Sequence, residues 1–185
     1  MSDFGRLANM LGAAGMEAPK AMRRAINHTG DKARTQMTKA LVPQTGLKYG
    51  ILKRALKTTK ANDKAAASGD FSYTISSEGG DIRLKFFSPR ETRQGVTAMV
   101  AGKRTLFART FSKGGRFPNR VGLPWGREVK QRAGSGRLPL QTVRSHVFIP
   151  IEMVRGESEK AFYRVIETDL APRVEHELAR ILGLK

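Results

Sequence analysis

Several things are missing from this chain, and each absence excludes something. There is no cysteine. A disulfide framework, a thiolate zinc site and a cysteine nucleophile are therefore ruled out. Histidine is scarce: His28, His146 and His176 lie far apart and lack a spacing such as H-x-x-x-H, so no metal site is expected. No stretch approaches the roughly 18 apolar residues of a membrane-spanning helix. The N-terminus has no basic segment followed by an apolar one, so no secretory signal is read and an intracellular origin is expected. No G-x-x-x-x-G-K-[ST] loop is present; Lys113-Gly114-Gly115-Arg116 is glycine-rich and basic but lacks the spacing that cradles phosphates. No internal repeat is visible.

Acid is the other shortage. The 185 residues carry a net charge of +18, unevenly spread. Residues 1–60 hold 12 basic and 3 acidic groups, 61–100 hold five of each, 101–145 hold 11 and one, and 146–185 hold six and seven. Two basic zones thus flank a neutral one. Charge of this size does not specify a fold, but it argues for contact with a polyanion or with acidic neighbours.

The densest stretch runs from Gly102 to Arg144. Its cations are Lys103, Arg104, Arg109, Lys113, Arg116, Arg120, Arg127, Lys130, Arg132, Arg137 and Arg144, and its single acid is Glu128. Gly114, Gly115, Pro118, Gly122, Pro124, Gly126, Gly134, Gly136 and Pro139 punctuate it. It reads as a long basic loop or hairpin arm. Phe107, Phe111, Phe117 and Trp125 are too few for a stacking platform, and Phe107, Phe111 and Trp125 are expected to pack the base of a hairpin.

The length fits a single domain, 1–185. Its first part, 1–57, reads as helical. Ser2 or Asp3 can cap a helix to about Ala14, with Phe4, Leu7 and Leu11 on one side. A longer helix follows with Pro19 in its first turn, its apolar face running Ala18, Met22, Ala25/Ile26, Thr29, Ala33, Met37 and Leu41. Small residues dominate that face, so its neighbour must approach closely. Pro43 is expected to stop it, and Thr45 to cap a third helix over Gly46–Lys57.

Lys57 to Gly69 reads as a polar linker. The part from 70 to 150 reads as a sheet bearing the 102–144 arm. Phe71, Tyr73 and Ile75, then Ile82, Leu84 and Phe86, alternate about the turn Glu78-Gly79-Gly80-Asp81, which predicts a hairpin. Val96, Ala98 and Val100 predict a third strand, Gly102-Lys103 a turn, Leu106–Phe111 a fourth strand, and Val143–Ile149 a last one ended by Pro150. Over 156–183 the stripe Phe162, Val165/Ile166, Leu170, Val174, Leu178 and Ile181/Leu182 keeps phase across Pro172, so one kinked helix is predicted. The fold class is therefore α+β: N-terminal helices, a small antiparallel sheet and a kinked C-terminal helix packed on it.

Catalysis finds no positive support. Ser145 and His146 are neighbours in a predicted strand and would point to opposite faces. Glu157, Glu159, Glu167, Asp169, Glu175 and Glu177 on the last helix fit a solvated or docking face better than paired catalytic carboxylates. The arm leaves two readings. A free nucleic-acid-binding module would act as a monomer or small dimer by sequence-independent electrostatics. An assembly subunit would oligomerise and set its arm against acidic neighbours.

Residues in several places also carry a family likeness. Ala21-Met22 through Ala25-Ile26-Asn27 lie in a small-residue helix, and the lysine-rich Thr45–Lys57 segment follows it. Then come Leu106-Phe107-Ala108-Arg109-Thr110-Phe111, the turn Lys130-Gln131-Arg132-Ala133-Gly134, and Leu138-Pro139-Leu140 leading into a valine-rich strand that ends at Ile149-Pro150. In this order, and with the Pro172 helix, the chain resembles the lambda-type phage minor tail protein Z family over nearly its whole length. Its Phe71–Phe87 stretch departs from the family pattern in reading as a more regular hairpin.

The resemblance implies a structural virion protein of the tail and neck that completes the head-proximal end of a phage tail and takes part in head–tail joining. It implies a homo-oligomeric ring, taken as hexameric, around the DNA path, in contact with the tail tube or tail terminator, the head connector and the DNA backbone. It implies assembly in the host cytoplasm, with no cofactor, metal, membrane or small-molecule substrate. The alternative is a sequence-independent nucleic-acid-binding protein.

Overall fold

Apolar residues spaced by three and four from Leu7 to Leu41 make the first part of the chain helical. In this computed structural model, which describes residues 3–62, 69 and 71–184, α1 spans Asp3–Ala14 and a 3-10 turn, Gly15–Glu17, leads into α2, Ala18–Thr45. A short α3, Tyr49–Ala55, follows. Ten strands come next: β1 Leu56–Thr59, β2 Thr74–Ser77, β3 Arg90–Glu91, β4 Gly95–Val100, β5 Lys103–Ala108, β6 Thr110–Phe111, β7 Lys113–Gly114, β8 Val121–Gly122, β9 Lys130–Arg132 and β10 Leu140–Thr142. Helices α4, Ile149–Met153, and α5, Gly156–Ile181, close the chain. The fold class is α+β, as the sequence patterns imply. The Ser2 cap, the side chains of Asp3 and Phe4, and linker residues 63–68 lie outside the described residues.

The chain forms two compact units: Met1–Thr38 with Leu56–Ser76 and Glu157–Lys185, and Lys39–Ala55 with Ser77–Gly156. The sequence divides naturally by element type, whereas contacts group distant segments. Charge follows the contacts. The second unit holds 20 Lys or Arg against five Asp or Glu, a net +15, and the first holds 14 against 11, a net +3.

In the first unit Ala14, Ala21, Ala25, Val174 and Leu178 form a buried cluster flanked by Leu7, Leu11, Met22, Leu170 and Ile181. The alanines let helix backbones approach closely, as the small-residue face implies. Helix α5 runs unbroken through Pro172, its apolar stripe in phase. Polar side chains of α2 hold the segment that follows α3. Asn27 donates to the Ala61 carbonyl at 2.9 Å and accepts from the Ala61 amide at 3.0 Å, and Arg34 donates to the Leu56 carbonyl at 2.8 Å. Leu56–Thr59, expected to be helix end and linker, is thereby a strand paired with β2.

The second unit departs most from the sequence patterns. The hairpin expected over Phe71–Phe86 does not form. Ile82 donates to the Val147 carbonyl and Leu84 to the Val143 carbonyl, so this segment lies along 143–147 instead. Leu84–Phe86 is a 3-10 turn, and Leu84 and Phe87, three apart, are both fully buried. Three-residue spacing buries one face of a 3-10 turn and overrides the alternation. Each such side chain contributes about 1.5–3 kcal/mol by leaving water.

Two prolines act differently from expectation. Pro43 lies inside α2, which continues to Thr45. A proline so near the end removes one hydrogen bond with little helix left to lose. Gly46 then takes φ +83, donating to the Val42 carbonyl at 2.9 Å, and α3 starts only at Tyr49. The Thr45 hydroxyl accepts from the Leu47 amide at 3.2 Å, a local turn contact just before α3. Pro150 opens α4 at its first turn instead of ending a strand, a position where its missing N–H is harmless.

The β4–β5 hairpin forms, with register Val100↔Lys103 to Gly95↔Ala108, but its turn is Ala101-Gly102, both at positive φ. Val96 and Ala98 are fully buried on one face, as their alternation implies. β3 pairs with the other edge of β4.

Candidate functional site

The basic stretch is not one open loop. It comprises β5, the β7–β8 ribbon, and a three-stranded sheet of order β10-β9-β6. Val129 is fully buried, and Thr110 and Glu128 nearly so, which anchors the stretch to its unit. Residues 115–119 and 131–139 are exposed throughout, so Arg116 stands on one exposed turn and Arg132 and Arg137 on another. Phe107, Phe111 and Trp125 are half-buried, in keeping with a packing role, while Phe117 is exposed and carries the Arg93 guanidinium 5.9 Å from its ring centre.

The cations of this stretch divide clearly. Arg104 donates to Thr97 at 3.2 Å, Lys130 to Thr142 at 2.6 Å and Arg144 to the Asp81 carbonyl at 2.8 Å. Arg120 pairs with Glu91 at 2.9 Å and donates to the Lys113 carbonyl at 2.6 Å. Among the described residues, Lys103, Arg109, Lys113, Arg116, Arg127, Arg132 and Arg137 have no side-chain hydrogen bond or ion pair. Among the described residues Arg120 is therefore the one member of the eleven with a carboxylate partner.

Arg109 is also held at φ +59 between β5 and β6, where its amide donates to Gln94. A non-glycine residue in the left-handed region costs about 1–2 kcal/mol, so this turn presents an arginine outward at some expense of stability.

The stretch's own acid does not serve these cations. Glu128 is buried and accepts from Lys85 at 2.5 Å and Arg83 at 2.9 Å, both outside the stretch. Burial pushes its carboxyl up, but the two cations pull further the other way and leave it below the ordinary carboxylate range.

A second cationic feature lies within the same unit. A cleft of about 530 Å³ is lined by Lys48, Lys85, Arg90, Lys113 and Arg127, with Ile51, Phe86 and Pro89 as apolar wall. Sequence reasoning missed Lys48, Lys85 and Arg90 here, because they stand outside the arm along the chain. The one available signal was that Lys48 belongs to the first basic zone.

The candidate catalytic residues are dispersed. Ser145 is buried and donates to the Ile82 carbonyl at 2.9 Å, while His146 is exposed, its amide bonded to Asp81 at 2.7 Å. On α5, Glu157 pairs with Lys160, Asp169 with Lys32, Glu175 with Arg6, and Glu177 with Arg173. Among the described residues no group of three or more His, Asp or Glu is placed to hold a metal ion, and no helix is long and apolar enough to cross a membrane. In comparisons with protein-family models, curated proteins and solved structures, the chain matches none.

Proposed function

We propose that this chain is a structural virion protein of a long-tailed phage. It completes the head-proximal end of the tail and joins it to the head as a hexameric ring around the DNA path, and it performs no chemistry of its own. The sequence resemblance supplies the class. The observation that carries the reading is the composition of the 102–144 surface: ten of its eleven cations lack a carboxylate partner among the described residues. Leu106, Phe117, Val121 and Leu138, interleaved with them, are 43%, 40%, 64% and 72% exposed. Arginine beside exposed apolar side chains is the make-up of a protein interface. A unit at +15 repels itself, and acidic neighbours would relieve it.

The tail tube or tail terminator and the head connector are the proposed neighbours. A lumen lined with all of these cations would bind phosphate strongly and brake DNA passage, so most of them are assigned to protein contacts and a minority to DNA. The test is the quadruple variant Arg109→Ala, Arg116→Ala, Arg127→Ala and Arg132→Ala. All four side chains are exposed, and none has a hydrogen-bond or ion-pair partner among the described residues. The expected outcome is a normal melting profile with tails that do not join heads. Normal yields of infectious particles would refute the proposal.

The unpaired cations also favour one second reading, sequence-independent binding of nucleic acid. Tight binding of duplex DNA by the monomer, with a steep salt dependence, would select it. Weak binding with concentration-dependent ring formation would select the assembly role.

A further inference from the structure

The cleft in the second unit is built from four separate segments. Lys48 stands just before α3, Arg90 is in β3, Lys113 is in β7, and Arg127 precedes β9. None of these four side chains has a hydrogen-bond or ion-pair partner among the described residues. Lys85 also lines the cleft but is tied to Glu128. Among the described residues Glu91 is the single acid there, and its charge is already engaged. Its side chain is 8% exposed, pairs with Arg120 at 2.9 Å, and accepts from the amide and hydroxyl of Ser112 at 3.3 Å. Four uncompensated positive charges thus converge on one concavity.

Folding gains nothing by gathering like charges, which repel more strongly beside a low-dielectric wall than in open water. Ser88, also in the lining, is held at φ +48, a conformation that a non-glycine residue adopts at a cost and that concentrates at binding sites. Convergence and strain both have an explanation if an anion occupies the cleft.

The lining indicates which anion. Two guanidiniums offer flat forks that match paired oxygens, and two ammoniums supply point charges. The Ser88 hydroxyl adds a donor. A volume of about 530 Å³ exceeds a single ion and suits a ligand with several charged groups. Phe86, 38% exposed, gives that ligand an apolar surface to lie on. We infer that the cleft binds phosphoryl groups, two or more at once, from a nucleic-acid backbone or from a free polyphosphate, through Lys48, Arg90, Lys113 and Arg127. This inference goes beyond the assembly role and does not rest on it.

The experiment uses the full chain and three probes of comparable charge: tripolyphosphate, a hexathymidylate single strand and a hexaglutamate peptide, titrated calorimetrically at fixed salt. The variant is Lys48→Gln with Arg90→Gln, and the control is Arg132→Gln with Arg137→Gln, which removes the same charge from an exposed turn. Both phosphate probes are expected to bind the unaltered chain. The cleft variant is expected to lose about 100-fold, roughly tenfold per charged hydrogen-bonding partner removed, and the control less than about threefold. A strand that binds more tightly than tripolyphosphate identifies the backbone as the source, and the reverse identifies free polyphosphate.

A measurement on the unaltered chain guards against a variant that fails to fold. Tripolyphosphate is expected to shield Lys48 and Lys113 from acetylation while leaving Lys103 reactive. Equal losses in the two variants, uniform shielding of all three lysines, no binding of either phosphate probe, or hexaglutamate binding as tightly as they do would each overturn the inference.

Discussion

Replacing Glu128 by glutamine tests how the second unit tolerates its charge. The carboxylate is 10% exposed and takes Lys85, 30% exposed, and Arg83, 52% exposed. Glutamine keeps the shape and one acceptor oxygen but removes the charge. A hydrogen bond to a charged group is worth about 1.5–3 kcal/mol and a neutral one about 1 kcal/mol. The Arg83 contribution is largely screened by water and adds about 0.5 kcal/mol or less. The expected loss near pH 7 is thus about 1.5 kcal/mol, mostly from Lys85.

The pH dependence gives a sharper test. The folded carboxyl titrates below its ordinary value of 4.5. Its contribution is therefore complete above pH 4.5 and is lost as pH falls through the lower, folded value. Once protonated, Glu128 is equivalent to glutamine. Urea unfolding of both proteins is expected to show a gap of about 1.5 kcal/mol near neutrality that closes progressively below pH 4.5, other groups cancelling in the difference. A gap that stays constant across this range, or none at neutrality, would refute the assignment of Glu128 as the charge anchor of this unit.

Other outcomes follow from single positions. Gly46→Ala is expected to cost about 2–4 kcal/mol in urea unfolding, because φ is +83 and a Cβ would meet the Met99 carbonyl oxygen at 2.2 Å. Leu84→Ala, at a fully buried site, is expected to cost about 2–5 kcal/mol by the same measurement. Arg109→Gly is expected to leave stability within about 0.5 kcal/mol, relief of strain offsetting the entropy of glycine, while removing one outward-facing cation. The Tyr73 phenol is pushed up to about 12 by burial and by the Asp31 carboxylate, to which it donates at 2.8 Å. Ultraviolet titration of Asp31→Asn is expected to show it titrating lower, yet still above 10, because burial remains.

Legibility in the sequence followed the range of the forces involved. The stripe from Phe162 to Leu182 stayed in phase over many turns, so α5 was visible to within a residue or two even with Pro172 inside it. The alternation Val96, Ala98, Val100 marked β4 equally well. The 71–86 segment misled because Ile82, Leu84 and Phe86 alternate by chance, while the buried pair is Leu84 with Phe87, held by the distant Val143 carbonyl on the Leu84 amide and by the Met99 amide on the Phe87 carbonyl. Pro43 and Pro150 misled because proline is harmless in the last and first turns of helices, and position within an element is a tertiary outcome. Leu56 lies in a strand whose partner β2 is distant along the chain, and its carbonyl is held by Arg34 of α2, contacts that leave no local pattern. Of the candidate site, the density of cations was plain in the sequence. The lack of a carboxylate partner for ten of them, among the described residues, was not, nor was the convergence of Lys48 and Arg90 with Lys113 and Arg127, since contacts between distant segments leave no local pattern.

The proposed role stands or falls on whether the polypeptide is built into particles. The most direct measurement is quantitative mass spectrometry of gradient-purified virions, washed at high salt, from cells that express the gene. Retention through the wash at a low, constant copy number per particle is the expected result. Complete loss of the chain from infectious particles would contradict it.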